Sequence, residues 1–140
     1  DNTSGDDNTG DNPSVGGEAK TYTLTIDASS FNTTSYAANN NEKTSTAVAT
    51  DGSTMEVKWT SYQVMKQSNA MQWQKSNGYI YNSTDLGTIT AITVTSSAGT
   101  FTKYIGTTEQ PTEEGTGGYF KINVGSALGS TSKVVVEFEK

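Results

Sequence analysis

The chain has 140 residues, a formal net charge of −6 and a hydrophobic share of 31%, which suits one domain built of thin sheets rather than a thick α/β core. It contains no cysteine and no histidine, which excludes disulfides, thiol nucleophiles, imidazole bases and histidine-ligated metals. All nine basic residues are lysine, which argues against nucleic-acid binding, and no apolar run approaches the roughly 18 residues of a membrane span.

The first twenty residues differ from the rest in composition. Aspartate, asparagine, glycine, serine and threonine dominate there, so the segment buries too little apolar area to offset its ordering entropy. We therefore predict a flexible acidic linker over residues 1–20 and one domain over residues 21–140. The chain starts at Asp1 without a methionine, and we expect a mature chain from which an export signal has been removed.

Period-two alternation predicts the strands of the first half of the domain. Tyr22, Leu24 and Ile26 share one face of the first strand, and threonines occupy the other. Residues 28–41 form an irregular crossing, and the Asp51-Gly52 pair predicts a hairpin, because both residue types tolerate positive φ. The strands predicted here are Thr21–Asp27, Ser45–Thr50 and Thr54–Thr60.

The stretch from residue 70 to residue 95 carries the main aromatic and β-branched signals. Ala70–Lys75 alternates, and Asn77-Gly78 predicts a second hairpin that leads into the short strand Tyr79–Asn82. Leu86–Ser96 is apolar on both faces, which predicts a strand central to its sheet. Residues 62–68 are ambiguous and can form either a short helical turn or an edge segment.

The C-terminal third predicts three more strands and one long loop. The loop Thr107–Gly118 is polar and contains Pro111 and three glycines. The predicted strands are Phe101–Ile105, Tyr119–Val124 and Lys133–Glu139. Together these elements predict an all-β domain, namely a two-sheet antiparallel β-sandwich of jelly-roll type behind the disordered linker.

The charged residues offer little for catalysis. Glycoside hydrolysis usually takes two carboxyl groups on opposite sides of the scissile bond, but the acids of this chain fall on strand exteriors and in polar loops. Without histidine, cysteine, arginine or a nucleophile motif we predict that the protein is not an enzyme and has no catalytic metal. A structural calcium near Asp27 or Asp85 stays open, while no other cofactor is expected.

The aromatic residues favour ligand binding. Sugar rings present C–H patches that stack on aromatic faces, and their hydroxyls pair with amides. Core packing is the alternative, most strongly for the tryptophan, which alternates in phase with Met71. The candidate ligand residues are Trp73, Tyr79, Tyr81, Gln72, Gln74, Asn77 and Tyr104.

Three segments carry a family resemblance: YIYNSTDLGTITAITVT at residues 79–95, YIGTTEQP at residues 104–111 and the closing SKVVVEFEK. The chain resembles C-terminal β-sandwich modules of secreted and lipid-anchored gut-bacterial proteins, and it is similar to carbohydrate-binding modules of the jelly-roll type. The resemblance implies a cell-surface or secreted accessory domain. The Asp/Asn/Gly segment at the start of the chain is similar to the spacer that follows a lipidated cysteine in surface lipoproteins, so we expect any attachment to the outer membrane to be through a lipid anchor outside this chain.

From these observations we expect a monomeric, non-catalytic cell-surface module that binds a polysaccharide or oligosaccharide. The alternative is a structural or protein-interaction module without a glycan ligand. The two differ in one observable, since a glycan binder exposes its aromatics in a concave patch with amides nearby, whereas a structural module buries them.

Overall fold

A computed structural model describes residues 18–140, so residues 1–17 of the predicted linker lie outside the described part. Two short 3₁₀ turns, Ala28–Ser30 and Ala37–Asn39, accompany the strands, and no helix in the described range is long and apolar enough to cross a membrane. The ten strands are β1 Thr21–Asp27, β2 Glu42–Ala49, β3 Thr54–Tyr62, β4 Val64–Gln67, β5 Ala70–Trp73, β6 Tyr79–Asn82, β7 Thr88–Ala98, β8 Phe101–Gly106, β9 Tyr119–Val124 and β10 Gly129–Glu139.

The ten strands form one hydrogen-bonded sheet in which every strand pair is antiparallel. The order is β4-β5-β10-β1-β2-β3-β6-β9-β8, and β7 pairs with β10 beside this path. The predicted all-β class is therefore confirmed. The division into two sheets and the jelly-roll topology stay predictions, because the pairings connect all the strands into one sheet.

One face of the sheet encloses the apolar core, and the alternation that predicted the strands also selects the buried side chains. Trp73 on β5 meets Phe101 on β8 edge to face, with ring centroids 5.0 Å apart. These strands lie near opposite ends of the order, so the sheet folds back over a common core. The largest fully buried side chains include Leu24, Ile26, Trp59, Met71, Trp73, Ile80, Leu86, Phe120, Ile122 and Phe138.

The predicted hairpin at Asn77-Gly78 is wrong, whereas the one at Asp51-Gly52 joins the antiparallel strands β2 and β3. β5 pairs with β4 and β10, and β6 pairs with β3 and β9, so the segment after Trp73 crosses between distant parts of the sheet. Between β5 and β6 the residue with positive φ is Ser76, at 67°. Gly78 serves close packing instead, since a Cβ there would lie 3.1 Å from the Cβ of Trp73.

One further prediction is wrong, and one that the sequence left open is decided. β7 is not central, because its pairing in the described chain is with β10 alone. A register shift opposite residues 137 and 138 changes the phase of β7, so Ile89 and Ile92 are both buried although they are three positions apart, an odd offset that places residues of a regular strand on opposite faces. The apolar residues on both faces of β7 therefore result from this bulge and not from a central position in the sheet. Residues 62–68 form the edge segment rather than a helical turn: β3 ends at Tyr62, Gln63 turns the chain with a φ of 55°, and β4 is the first strand of the sheet order.

Candidate functional site

The outward faces of β3, β6, β9 and β8 form a continuous tyrosine-rich surface. Cross-strand partners point to the same side of a sheet. One row joins Tyr62, Tyr79, Asn123 and Thr102, and the next joins Thr60, Tyr81, Lys121 and Tyr104. We call the part of this surface formed by six of these residues the tyrosine face: Tyr62, Tyr79, Tyr81, Tyr104, Lys121 and Asn123.

The inward residues of the same strands fix the position of this face. Ile80, Phe120 and Ile122 are fully buried and alternate with the outward tyrosines, lysine and asparagine. Asn82 is buried at the end of β6, where its Nδ2 donates to the carbonyl oxygens of Thr84 and Gly118, and its Oδ1 accepts from the backbone N–H of Phe120 at 2.7 Å. The tyrosine face is therefore carried on strands that are anchored from beneath.

Tyr79 lies at the centre of the aromatic group. Its ring stacks on that of Tyr62 at 5.0 Å with an interplanar angle of 20°, and it meets Tyr81 at 6.1 Å. The ammonium of Lys121 lies 4.2 Å from the Tyr79 ring centroid, a cation–π distance. β3 and β9 flank β6 on opposite sides, so Tyr62 and Lys121 enclose Tyr79 between them. Burial, followed by the neighbouring phenols of Tyr81 and Tyr62, raises the pKa of Tyr79.

A cleft of about 340 Å³ opens at one end of the tyrosine face. We call it the tyrosine cleft. Tyr62, Tyr79, Lys121 and Asn123 line it, together with the turn at residues 76–78. Tyr62 is 39% exposed, which makes it the most accessible ring of the stack. The cleft combines aromatic rings, amides, a hydroxyl and one ammonium, and no carboxylate lines it.

Two polar groups of the cleft keep hydrogen-bonding capacity. Oδ1 of Asn123 is buried and has no hydrogen-bond partner among residues 18–140, and an unpaired buried acceptor is costly. The ammonium of Lys121 donates to Oε1 of Gln110 at 3.2 Å. An ammonium carries three donors, so this single bond leaves two donors of Lys121 for other partners. Lys121 can therefore donate further hydrogen bonds to a ligand, whereas Oδ1 of Asn123 is enclosed by the protein.

The structure separates the residues that the sequence suggested for ligand binding. Trp73 is fully buried and its indole N–H donates to Oγ1 of Thr131 at 2.9 Å, so the prediction that it presents a ring to a ligand is wrong. Gln72 donates to the hydroxyl of Tyr36 at 2.7 Å, away from the cleft. The alternation along β5 explains both positions. Trp73 points inward to the core, whereas Gln72 points outward on a part of the sheet that does not carry the tyrosine face.

The other suggested residues lie on or beside the tyrosine face. Tyr79 and Tyr81 are half-buried on it, and Tyr104 is half-buried next to Lys121 in the same row. Asn77 is exposed and lines the cleft, where its Nδ2 donates to Oε1 of Gln74 at 2.9 Å. Gln74 thereby supports the turn rather than the cleft itself.

Sequence reasoning missed Tyr62, Lys121 and Asn123. A signal for Tyr62 was present, because the outward series Glu56, Lys58, Thr60 continues to it with period two. Lys121 and Asn123 are the outward positions of a strand that was predicted correctly. Their approach to the tyrosines depends on the pairing of β6 with β9, which the hairpin assignment concealed.

Among residues 18–140 the carboxylates do not assemble into a second site. Oδ1 of Asp27 accepts from the backbone N–H of Ser29, and Oδ1 of Asp85 accepts from that of Gly87. Each carboxylate thus caps its own turn. In the described part of the chain no three side chains of the aspartate, glutamate, histidine or cysteine types come together as metal ligands, and calcium at Asp27 or Asp85 stays an untested prediction.

Comparison with known proteins found no match to a protein-family profile, a curated protein or a solved structure.

Proposed function

We propose that this chain is a non-catalytic accessory module that binds a glycan through the tyrosine face. The observation that carries the proposal is the tyrosine cleft, where the exposed ring of Tyr62 adjoins amide side chains and the ammonium of Lys121. Aromatic faces suit the C–H patches of a pyranose ring, and amides suit its hydroxyls. The rigid strands beneath limit the conformational entropy lost on binding.

The enclosure of Tyr79 determines which rings do the stacking. Tyr62 and Lys121 cover its sides, so a sugar ring stacks on the outer side of Tyr62 or on Tyr81. Tyr104 extends the surface along the second row. A chain of several sugar units lying across the rows contacts more than one tyrosine, which fits a polysaccharide or oligosaccharide ligand.

A protein-interaction module is the second candidate. Tyrosine is enriched at protein interfaces and among the residues that dominate their binding energy. The stacking of Tyr62, Tyr79 and Tyr81 on one another favours this reading, because those rings already have partners. The two candidates use the same surface and differ in the ligand.

The cellular setting belongs to the same proposal. The composition of residues 1–20 is typical of a flexible acidic spacer, and the resemblance to modules of surface lipoproteins supports a location outside the cell. We propose an exported monomer, held at the cell surface by a lipid anchor outside this chain, with no nucleic-acid partner, no catalytic activity and no cofactor.

Affinity electrophoresis against a panel of soluble polysaccharides tests the glycan ligand. The variants are Tyr62→Ala and Tyr81→Ala, with Tyr36→Ala as the control, because Tyr36 contacts Gln72 outside the cleft. Losing one stacked ring costs about 1 kcal/mol, which is roughly a fivefold loss of affinity. We expect at least one polysaccharide to retard the parent and the control, and both face variants to be retarded less.

The result also separates the two candidates. If no polysaccharide retards the parent protein, the glycan proposal fails and the protein-interaction candidate takes its place. If a polysaccharide retards the parent and all three variants equally, the ligand is a glycan but the tyrosine face is not its site.

A further inference from the structure

The tyrosine cleft contains one charged residue, Lys121. Its cross-strand neighbours are Tyr81 and Tyr104, both uncharged. Its ammonium contacts the ring of Tyr79 and the neutral amide of Gln110, and within residues 18–140 it forms no ion pair with a carboxylate. Within the described residues the positive charge of Lys121 therefore has no carboxylate in direct contact.

We infer that the tyrosine cleft selects acidic sugar units, with the ammonium of Lys121 pairing a carboxylate of the glycan. This inference rests on the proposed glycan-binding function. It assigns the ammonium of Lys121 to the carboxylate that distinguishes a uronic acid from a neutral sugar. A neutral sugar offers the ammonium hydroxyl oxygens but no opposite charge.

The net charge of the chain and the lining of its other recess favour the tyrosine cleft as the site of an acidic sugar unit. The net charge of −6 repels a polyanion at long range, so an acidic ligand needs a specific positive contact. A second recess of about 310 Å³ lies under the loop at residues 107–116, but Glu113 lines it, which disfavours an anion there. The tyrosine cleft has an ammonium and no carboxylate, so the acidic unit is expected in the cleft.

The position of the lysine strengthens its interaction with an anion. Lys121 is half-buried and its ammonium rests on the Tyr79 ring, which holds the charge over the cleft instead of leaving it free in solvent. Partial removal from water strengthens a pairing that is weak between fully exposed side chains. Salt screens the attraction between the ammonium and a carboxylate, so binding of an acidic unit should weaken as the salt concentration rises.

The test uses matched pairs of polysaccharides, namely polygalacturonate, alginate and hyaluronan, each beside its carboxyl-reduced form. Binding of the full chain is measured by calorimetry at 50 mM and 300 mM NaCl. The variants are Lys121→Met, which keeps the aliphatic stem, and Lys121→Arg, which keeps the charge. Lys58→Met is the control, because Lys58 is an exposed lysine on the outward face of β3 and does not line the cleft.

We expect the parent to bind at least one carboxylated polymer about fivefold or more tightly than its reduced form, with salt weakening only the carboxylated partner. Lys121→Met should lose this preference while still binding the reduced form, and the arginine and control variants should keep it. Equal binding of both forms by the parent, or a preference that survives in Lys121→Met, overturns the selection but leaves glycan binding in place. Failure of both forms of every pair, together with every neutral polysaccharide, removes the proposed function as well.

Discussion

Replacing Asn82 by alanine should destabilise the fold strongly, because this side chain ties three backbone groups together. Asn82 is fully buried at the end of β6. Its amide donates to the carbonyls of Thr84 and Gly118 at 2.8 and 2.9 Å and accepts from the N–H of Phe120 at 2.7 Å. Alanine removes all three hydrogen bonds and leaves the Phe120 N–H without this acceptor.

The expected magnitude follows from these contacts. Each bond contributes about 1 kcal/mol, and a stranded buried donor costs somewhat more, so we expect a loss of about 3 kcal/mol in the free energy of unfolding. Urea titration followed by tryptophan fluorescence measures it, and with an m-value of about 2 kcal/mol/M the midpoint falls by about 1.5 M. Asn123→Ala is the matched control, with a change of less than about 0.5 kcal/mol, because Oδ1 of Asn123 has no partner in the described chain. A loss below about 1 kcal/mol for Asn82→Ala, or equal losses for both variants, would refute this reasoning.

Two further predictions concern the backbone and pH. Gly52 and Gly87 both have positive φ, but an added Cβ meets nothing within 4 Å at Gly52, whereas at Gly87 it overlaps the carbonyl oxygen of Glu139. Gly52→Ala should therefore cost about 1 kcal/mol and Gly87→Ala at least about 2 kcal/mol more in urea titrations, and equal costs would contradict the steric argument. Burial lowers the pKa of Lys43 from 10.5 to about 8, so between those values the unfolded chain binds more protons and stability should rise with pH. In Lys43→Met the free energy of unfolding, measured by urea titration, should no longer rise between pH 8 and 9.5. An unchanged dependence of this free energy on pH would mean that other groups cause the rise.

Much of the fold could be predicted from local pattern. In β1 the alternation places Tyr22, Leu24 and Ile26 on the buried face as expected, and in β3 it does the same for Val57 and Trp59. This works because the side-chain period of a strand is fixed at two, so an apolar series with that period has one face to bury. The signal needs no knowledge of which strands are neighbours.

The errors arose where a local signal has more than one physical cause. An asparagine-glycine pair favours a hairpin turn. At Gly78, however, the absence of a side chain allows Trp73 and the carbonyl of Gln63 to pack against the backbone. Two-faced apolarity favours a central strand, but in β7 it follows from a bulge. Distinguishing these causes requires the tertiary contacts.

The candidate site likewise combines residues that the local pattern predicts with residues that only the tertiary contacts bring together. Tyr79 and Tyr81 could be found from composition and phase, but the charge and the unpaired acceptor beside them come from β9, about 40 residues further along the chain. Tyr62 joins them through β3. Only the register of three strands brings these groups together, and register between distant segments is not encoded in the local period.

The same alternation separates the binding chemistry from the stability of the strands that carry it. On β6 and β9 the inward residues Ile80, Phe120 and Ile122 hold the core, while Tyr81 and Lys121 point outward. A substitution at an outward position changes the ligand surface and leaves the buried contacts intact, so its effect on unfolding should be small. Binding losses in Tyr81→Ala and Lys121→Met that are accompanied by unchanged urea midpoints would therefore report contacts with the ligand. If binding and midpoint fell together, the tyrosine face would be part of the packing that holds the sheet, and the structural-module alternative would gain support.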